Sequence, residues 1–433
     1  MIFDQNMILF AFEKHLIWSR SDGRGGTVTY HYYDAVTWVV AALAVAWLIW
    51  FFVSRYRRAR SLRRVPRRNN NQALKRVVKI KTELSQTFLQ PGFSRTIHAV
   101  GIGLLAFPNQ YCIQVFIVDP NDEMWIGAGT TPLPTVFRGV PVVRIQMPMA
   151  GFLSAKGLAA VGREHQYSKG IRQRQEVIVG GISGANTNLT GQSGTIGYFC
   201  TRKSKFSRRK EIYLLSNSHV FADLRKAQVD DRDLIMQPSP GEPASNRPIA
   251  TLVNFSALKF DGDTKEPNHV DAAIAKLWKP QPHKPLIPLI GSVKGYVPKQ
   301  DVEPGEAVRK FGRTTGYTEG CIFSIYLDIW IRYVRTGQSA FFQDQFLVEP
   351  TLPRFTRFVS KGDSGSLVVD AKQHAVGLIF AGTSDVPELL QTSPEPRAVA
   401  ETNSTGDKLQ RIEGYGVANP ISEVLDRLKI ELV

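Results

Sequence analysis

Residues 360–370, SKGDSGSLVVD, set Ser364 between two glycines, one residue after Asp363 and just ahead of the apolar run Leu367-Val368-Val369. Small and polar residues that tip straight into a β-branched run read as a tight turn feeding a strand. Gly362 and Gly365 open backbone conformations closed to other residues, so the chain is able to turn tightly on either side of Ser364. A nucleophile needs such a turn. An Asx-type turn looks the same, so Ser364 alone does not decide.

The residues around it carry the reading further. From about residue 180 the chain becomes a series of short apolar runs separated by Gly, Pro, Asn and Asp. TIGYFC, EIYLLSN, AAIAKLW, CIFSIYL, QFLVEP and AVGLIFAG are the clearest. Many short strands of this kind predict a β-sandwich or barrel. Two more polar residues have unusual surroundings. His219 follows an apolar strand that ends in Ser-Asn-Ser, and Asp271 opens an otherwise apolar strand in NHVDAAIAKL. An ionised carboxylate among buried residues needs a donor, and a histidine Nδ1–H is a suitable one.

His219, Asp271 and Ser364, in that chain order, resemble the chymotrypsin-like serine proteases. GDSGS at 362–366 matches that family's nucleophile motif, SNSHV at 216–220 its histidine motif and VDAAIA at 270–275 its aspartate strand. FGRTTGYTEG at 311–320 is similar to the Thr-Thr-Gly hairpin of bacterial members, and AVGLIFAG at 375–382 to the strand lining the substrate cleft. The resemblance spans roughly 178–430 and implies a double β-barrel. It also implies that His219 is the base that takes the serine proton and Asp271 the group that orients it. The backbone N–H groups of Gly362 and Ser364 would form the oxyanion hole. A carboxylate at Asp363 is buried in the family, and in bacterial members a basic side chain of the hairpin meets it. Lys310 is the expected partner here, with Arg309 and Arg313 as alternatives. The chain does contain IVGG at 178–181, but Val177 precedes it, so activation by a new N-terminus is not expected. Phe358 stands at the position expected for the base of the primary pocket, and Gly382 where backbone pairs with an extended substrate.

Composition adds a second theme. The net charge of +16 is concentrated between Arg55 and Lys81, where twelve Lys or Arg stand without one Asp or Glu. A nucleic-acid partner is therefore not expected. Just upstream, AVTWVVAALAVAWLIWFFV at 35–53 runs nineteen residues without a charge, enough to cross a bilayer as a helix. The arginines that follow predict, by the positive-inside rule, an N-terminus outside and the bulk of the chain in the cytoplasm at the inner membrane. Residues 35–54 and those arginines are the expected lipid contact.

The expected organisation is a mainly β protein. A short head covers 1–34, a transmembrane helix 35–54, a polybasic linker 55–73 and a small α/β module 74–155. A second linker, 156–177, leads to the protease-like domain at 178–433. Within the module, a helix is expected over KRVVKIKTELSQTFLQ and strands over AVGIGLLAF, YCIQVFIVD and GVPVVRIQM. Gly101 and Gly103 are read as a turn. The basic stretch RKSKFSRRK at 202–210 and the polar insertion at 384–412 are expected surface loops. The end of the chain, NPISEVLDRLKIEL, reads as an amphipathic helix with an Asn cap. Three scattered cysteines suggest neither a disulfide framework nor a metal site, and no cofactor is called for. The function expected is a membrane-anchored serine endopeptidase acting on protein or peptide substrates. The alternatives are a protease-like scaffold that binds peptides without cutting them, an envelope-facing quality-control protease, and a basic membrane or nucleic-acid binder.

Overall fold

The computed structural model describes residues 16–21, 27–31, 67–89, 97–105, 110–118, 133–152, 168–189, 192–203, 211–224, 229, 233–243, 247–261, 264–333, 337–383 and 414–433. The chain divides into two compact units, Met1–Asn70 and Asn71–Val433. In the first, Leu16–Ser21 and Thr27–His31 form an antiparallel pair. The expected membrane helix at 35–54, the arginines that follow as far as residue 66, and the 384–412 insertion all lie outside the described residues, as does most of the basic stretch 202–210. Among the described residues no helix is long and apolar enough to cross a membrane.

The second unit is mainly β. Its first sheet uses β4 (Tyr198–Arg202), β5 (Tyr213–Ser216), β6 (Leu234–Met236), β7 (Pro248–Phe255), β8 (Ala273–Leu277) and β15 (Ile430–Leu432). The order is β15–β4–β5–β8–β7–β6, completed by the two-residue strand Ala185–Asn186. Every neighbouring pair is antiparallel. Strands β4, β5 and β8 are buried along nearly their whole length, and Tyr198, Leu214, Ile235, Ala250, Ile274 and Ala275 belong to one core.

The second sheet uses β9 (Ala307–Gly312), β10 (Gly316–Arg332), β11 (Ser339–Pro350), β12 (Leu367–Asp370), β13 (His374–Gly382) and β14 (Gly416–Pro420). β9 pairs with both β12 and β10, so the six strands close in the order β9–β12–β13–β14–β11–β10. The ring leaves no open edge among these six.

β10 does more than close the ring. At seventeen residues it overshoots. Beyond the ring it pairs with β1 (Ile97–Leu104), through Ile325↔Ile102, Asp328↔Val100 and Ile329↔Ala99. β1 pairs in turn with β2 (Tyr111–Ile117), and β2 runs parallel to β3 (Val140–Gln146). Helix α1 (Arg67–Phe88) packs on this extension through Leu74, Val77, Ile80, Leu84 and Phe88. That spacing is the apolar stripe of an amphipathic helix.

The strands expected within 74–155 are thus present, but the separate module is not. Its core is shared with the ring, because Val100, Ile102 and Ile113 cluster with Ile322, Ile325, Phe346 and Val348. The expected turn at Gly101 and Gly103 is also corrected. Both lie inside β1, and the Gln114 amide crosses over Gly103 where a side chain would otherwise stand. At the other end, α3 (Ile421–Leu428) is the amphipathic helix, with Ile421, Val424, Leu425 and Leu428 buried, but Asn419 does not cap it. Its side chain turns inward instead, toward Asp271.

Candidate active site

β5 ends at Ser216, and after Asn217 the chain makes the single helical turn α2 (Ser218–Phe221), which carries His219. Asp271 lies two residues ahead of β8, the strand that pairs with β5. Sheet register therefore delivers both residues to one place. His219 Nδ1 stands 2.5 Å from Asp271 Oδ2, and the His219 backbone N–H donates to Asp271 Oδ1 at 3.2 Å.

The loop around Asp271 is held on all sides. Its own N–H donates to Asn419 Oδ1 at 2.7 Å, and its carbonyl accepts from Asn217 Nδ2 at 2.7 Å. The Ser218 hydroxyl lies 2.8 Å from the carbonyl of Ser256 and 2.9 Å from that of Ala272. Asp271 is 0% and His219 1% exposed. A buried carboxylate with a ring N–H in front of it and fixed backbone behind has one orientation to offer the imidazole.

Ser364 comes from the other sheet. Its carbonyl accepts from the Thr195 N–H at 2.8 Å, and the next glycine lies against Thr195 and Ser216, close to the histidine turn. The Ser364 hydroxyl donates to the Phe380 carbonyl at 3.1 Å, and among the described residues no hydrogen bond joins it to the His219 ring. Resting catalytic hydrogen bonds are commonly looser than working ones.

The turn has the backbone that its glycines foretell. Gly362 and Gly365 stand at φ +97° and +95°. Within it, the Asp363 N–H donates to the Ser360 carbonyl and the Ser366 N–H to the Asp363 carbonyl, each at 3.0 Å. The N–H groups of Gly362 and Ser364 have no acceptor among the described residues. Backbone donors without an acceptor are rare where a chain is buried. They suit an oxygen that arrives with a ligand.

Asp363 points the other way, into the ring. Its Oδ1 accepts from the N–H groups of Thr314 (2.8 Å) and Thr315 (3.2 Å). Its Oδ2 accepts from the Ser360 N–H (2.9 Å), the Thr315 hydroxyl (2.7 Å) and Lys310 Nζ (3.2 Å). Lys310 also reaches Thr315 Oγ1 and the Gly316 carbonyl. Both members of the ion pair are 0% exposed. Burial pulls the Lys310 ammonium below its ordinary value, and the Asp363 carboxylate opposes that pull. Arg313 is engaged elsewhere, with Glu242, through Nε at 2.7 Å and through Nη2. Arg309 is half-buried on β9, paired in register with Val369. The Ile178 N–H is bound to the Pro282 carbonyl at 2.9 Å, while the Asp363 oxygens are filled from the hairpin and its own turn.

Phe358 is 0% exposed and belongs to the ring's hydrophobic core, with the Lys310 ammonium 5.9 Å from its ring centroid. Packed so, it is a core residue rather than the floor of an open pocket. Gly382 ends β13, and Gly151 of this same chain lies opposite it. Sequence reasoning gave Asn419 only a helix-capping role and passed over Thr195. Thr195 joins the two sheets, its hydroxyl donating to the Gly362 carbonyl at 2.9 Å and receiving the Arg313 N–H at 3.1 Å. No short motif contains either residue beside its partner.

No family model and no curated protein matches the chain. Among solved structures, it is similar to protease A of Thermobifida fusca (TM-score 0.37, 16% identity, 59% of this chain and 98% of that one). It is also similar to a glutamic acid-specific serine protease (TM-score 0.36, 13% identity, 59% and 100%). A third likeness is to a Cellulomonas bogoriensis chymotrypsin (TM-score 0.33, 15% identity, 59% and 98%). Likeness at this level adds nothing to the site, which stands on its own geometry.

Proposed function

We propose that the chain is a serine endopeptidase, with Ser364 as nucleophile, His219 as general base and acid, and Asp271 as the group that fixes the imidazole. The observation that carries this reading is the pairing of a buried His219–Asp271 contact at 2.5 Å with two N–H donors, in the turn that holds Ser364, that have no acceptor among the described residues. Ser364 Oγ attacks the substrate carbonyl as its proton passes to His219 Nε2. Asp271 stabilises the imidazolium, which then returns that proton to the leaving amine. Water hydrolyses the acyl-enzyme by the same route in reverse. The Gly362 and Ser364 N–H groups receive the oxyanion, a contribution of about 2.7–4 kcal/mol per donor in related chemistry. A scaffold that only binds peptides has no use for open donors beside an oriented histidine.

The substrate is a protein or peptide taken up as an extended strand. Residues 35–54 and the following arginines place the enzyme, in this reading, at a membrane with its β unit in the cytoplasm. A protease always active there would be hazardous, so its access to substrate is expected to be restricted. The test is reaction of the purified chain with a fluorophosphonate probe, beside Ser364→Ala and His219→Ala. Labelling of the wild type that disappears in both variants is the expected outcome. Wild-type labelling at a residue other than Ser364 overturns the assignment.

A further inference from the structure

The edge of β13 nearest Ser364 is already filled, and the filling comes from the chain itself. Along β13 the partners follow one another in order. The Ile379 N–H donates to the Ser366 carbonyl at 2.9 Å, and its carbonyl accepts from the Gly365 N–H at 2.8 Å. Next, the Phe380 carbonyl receives the Ser364 hydroxyl. Beyond it, Ala381 and Gly382 pair antiparallel with Phe152 and Gly151. The opposite edge of the same two residues is held by Val417 and Gly416 of β14. Gly151–Phe152 therefore occupies the one side of β13 on which a separate peptide could add as a strand beside the serine.

Direction matters as much as place. The antiparallel register runs the chain from Gly151 to Phe152 toward Phe380, so a peptide lying this way delivers its carboxyl side to Ser364. That is the sense in which an acyl group must arrive. The strand is also anchored. Arg332 donates its N–H to the Ala150 carbonyl at 3.0 Å, and Gly151 pairs with Arg332 on its other side. Met147 and Ala150, both 0% exposed, share a core with Phe380, Ala381 and Val417. Ser364 itself is 0% exposed.

We infer that Gly151–Phe152 is a resident ligand of the substrate edge, filling in cis the place where an extended substrate pairs, so that Ser364 stays latent until the strand is displaced or cut. The inference rests on the serine endopeptidase reading. If the strand is cut, the step is ordinary peptide hydrolysis. Ser364 Oγ bonds to a carbonyl carbon C-terminal to Phe152, the amide C–N bond breaks, the amine leaves with a proton from His219, and water releases the acyl group.

The experiment follows fluorophosphonate labelling and intact mass over time in the full chain, for the wild type, Phe152→Pro, Gly151→Pro and Ser364→Ala. Either proline removes an N–H and disturbs the pairing, and two positions guard against one variant failing to fold. The expected result is labelling about tenfold faster in the proline variants than in the fresh wild type, as when the competent state is a tenth of the population. A lag in the wild type that is independent of protein concentration also supports the proposal. So does a cut C-terminal to Phe152 that is absent from Ser364→Ala. Intact wild type labelling at once, at the rate of the proline variants, overturns the inference and leaves the nucleophile assignment standing. Folded variants that all refuse the probe overturn both.

Discussion

Each residue of the proposed relay is held by something that can be removed alone. Asp271→Asn keeps the shape but loses the charge, and the amide no longer enforces the tautomer that leaves Nε2 free to accept. Related sites lose about 10⁴ in kcat by this change, and a loss of that order with KM little altered is expected in peptide hydrolysis by the uncovered enzyme. Asn419→Ala acts one step further out, by freeing the Asp271 N–H. Misplacement by about 1 Å can cost about 10²-fold, so a drop between about tenfold and a hundredfold in kcat, with no new pH dependence, is the expected reading. Lys310→Met strands the Asp363 carboxylate in the ring. Removing one partner of a buried pair costs about 3–5 kcal/mol, and a thermal melt should register it. The His219–Asp271 contact and the Lys310–Asp363 pair were legible because each residue lies inside a short motif. Asn419 was not, since its partner is 148 residues away and a Pro-preceded helix start offered it a simpler role.

At the scale of elements, the most informative is α1. A helix over this stretch was expected from the sequence, where Lys81 counts only as the last cation of the basic run. The structure buries it, with Nζ 2.8 Å from Asp328 on β10. Burial pushes the Asp328 carboxyl above its ordinary value, and Lys81 opposes the shift. Lys81→Ala leaves that carboxylate alone and should destabilise by about 3–5 kcal/mol, whereas Lys81→Met with Asp328→Leu should recover most of the loss. Denaturant melts of both variants distinguish an ion pair that locks the helix from one that is incidental. β2 carries a second marker. Burial pushes the Cys112 thiol up from 9.0 to about 11. A thiol whose folded value is raised contributes stability in full below pH 9, and that contribution is lost as the pH rises toward 11. Two units correspond to about 2.7 kcal/mol at most. Melts between pH 8 and 11 should slope downward, and Cys112→Ala should flatten part of that slope.

For the whole molecule, the boundary of the proposed catalytic unit is not where the motifs begin. Sequence texture changes near residue 178, and a boundary there follows naturally from the motifs. Hydrogen bonding does not respect it. Ile325, Asp328 and Ile329 of β10 pair with Ile102, Val100 and Ala99, and Leu327 and Ile329 share a core with Ala99, Phe116 and Met147. Strands at 97–104, 111–117 and 140–146 were recognisable by composition, but nothing in a local window says which edge they join, because pairing partners lie more than two hundred residues along the chain. Removing residues 1–177 would expose one edge of an overlong strand and the apolar face beneath α1. Such an edge is a site of aggregation. A chain of 178–433 is therefore expected to be insoluble or to melt well below one of 72–433, which keeps α1 from Gln72 onward and the three strands. If instead 178–433 proves monomeric and equally stable, the extension is an appendage and its pairing with β10 contributes little. Should 72–433 alone fold, its fluorophosphonate reactivity reports on a site whose covering strand, Gly151–Phe152, is still attached. Extension and cover are then parts of one unit, since the strand that fills the substrate edge follows β3 in the chain, and Met147 and Ala150 between them share a core with the ring.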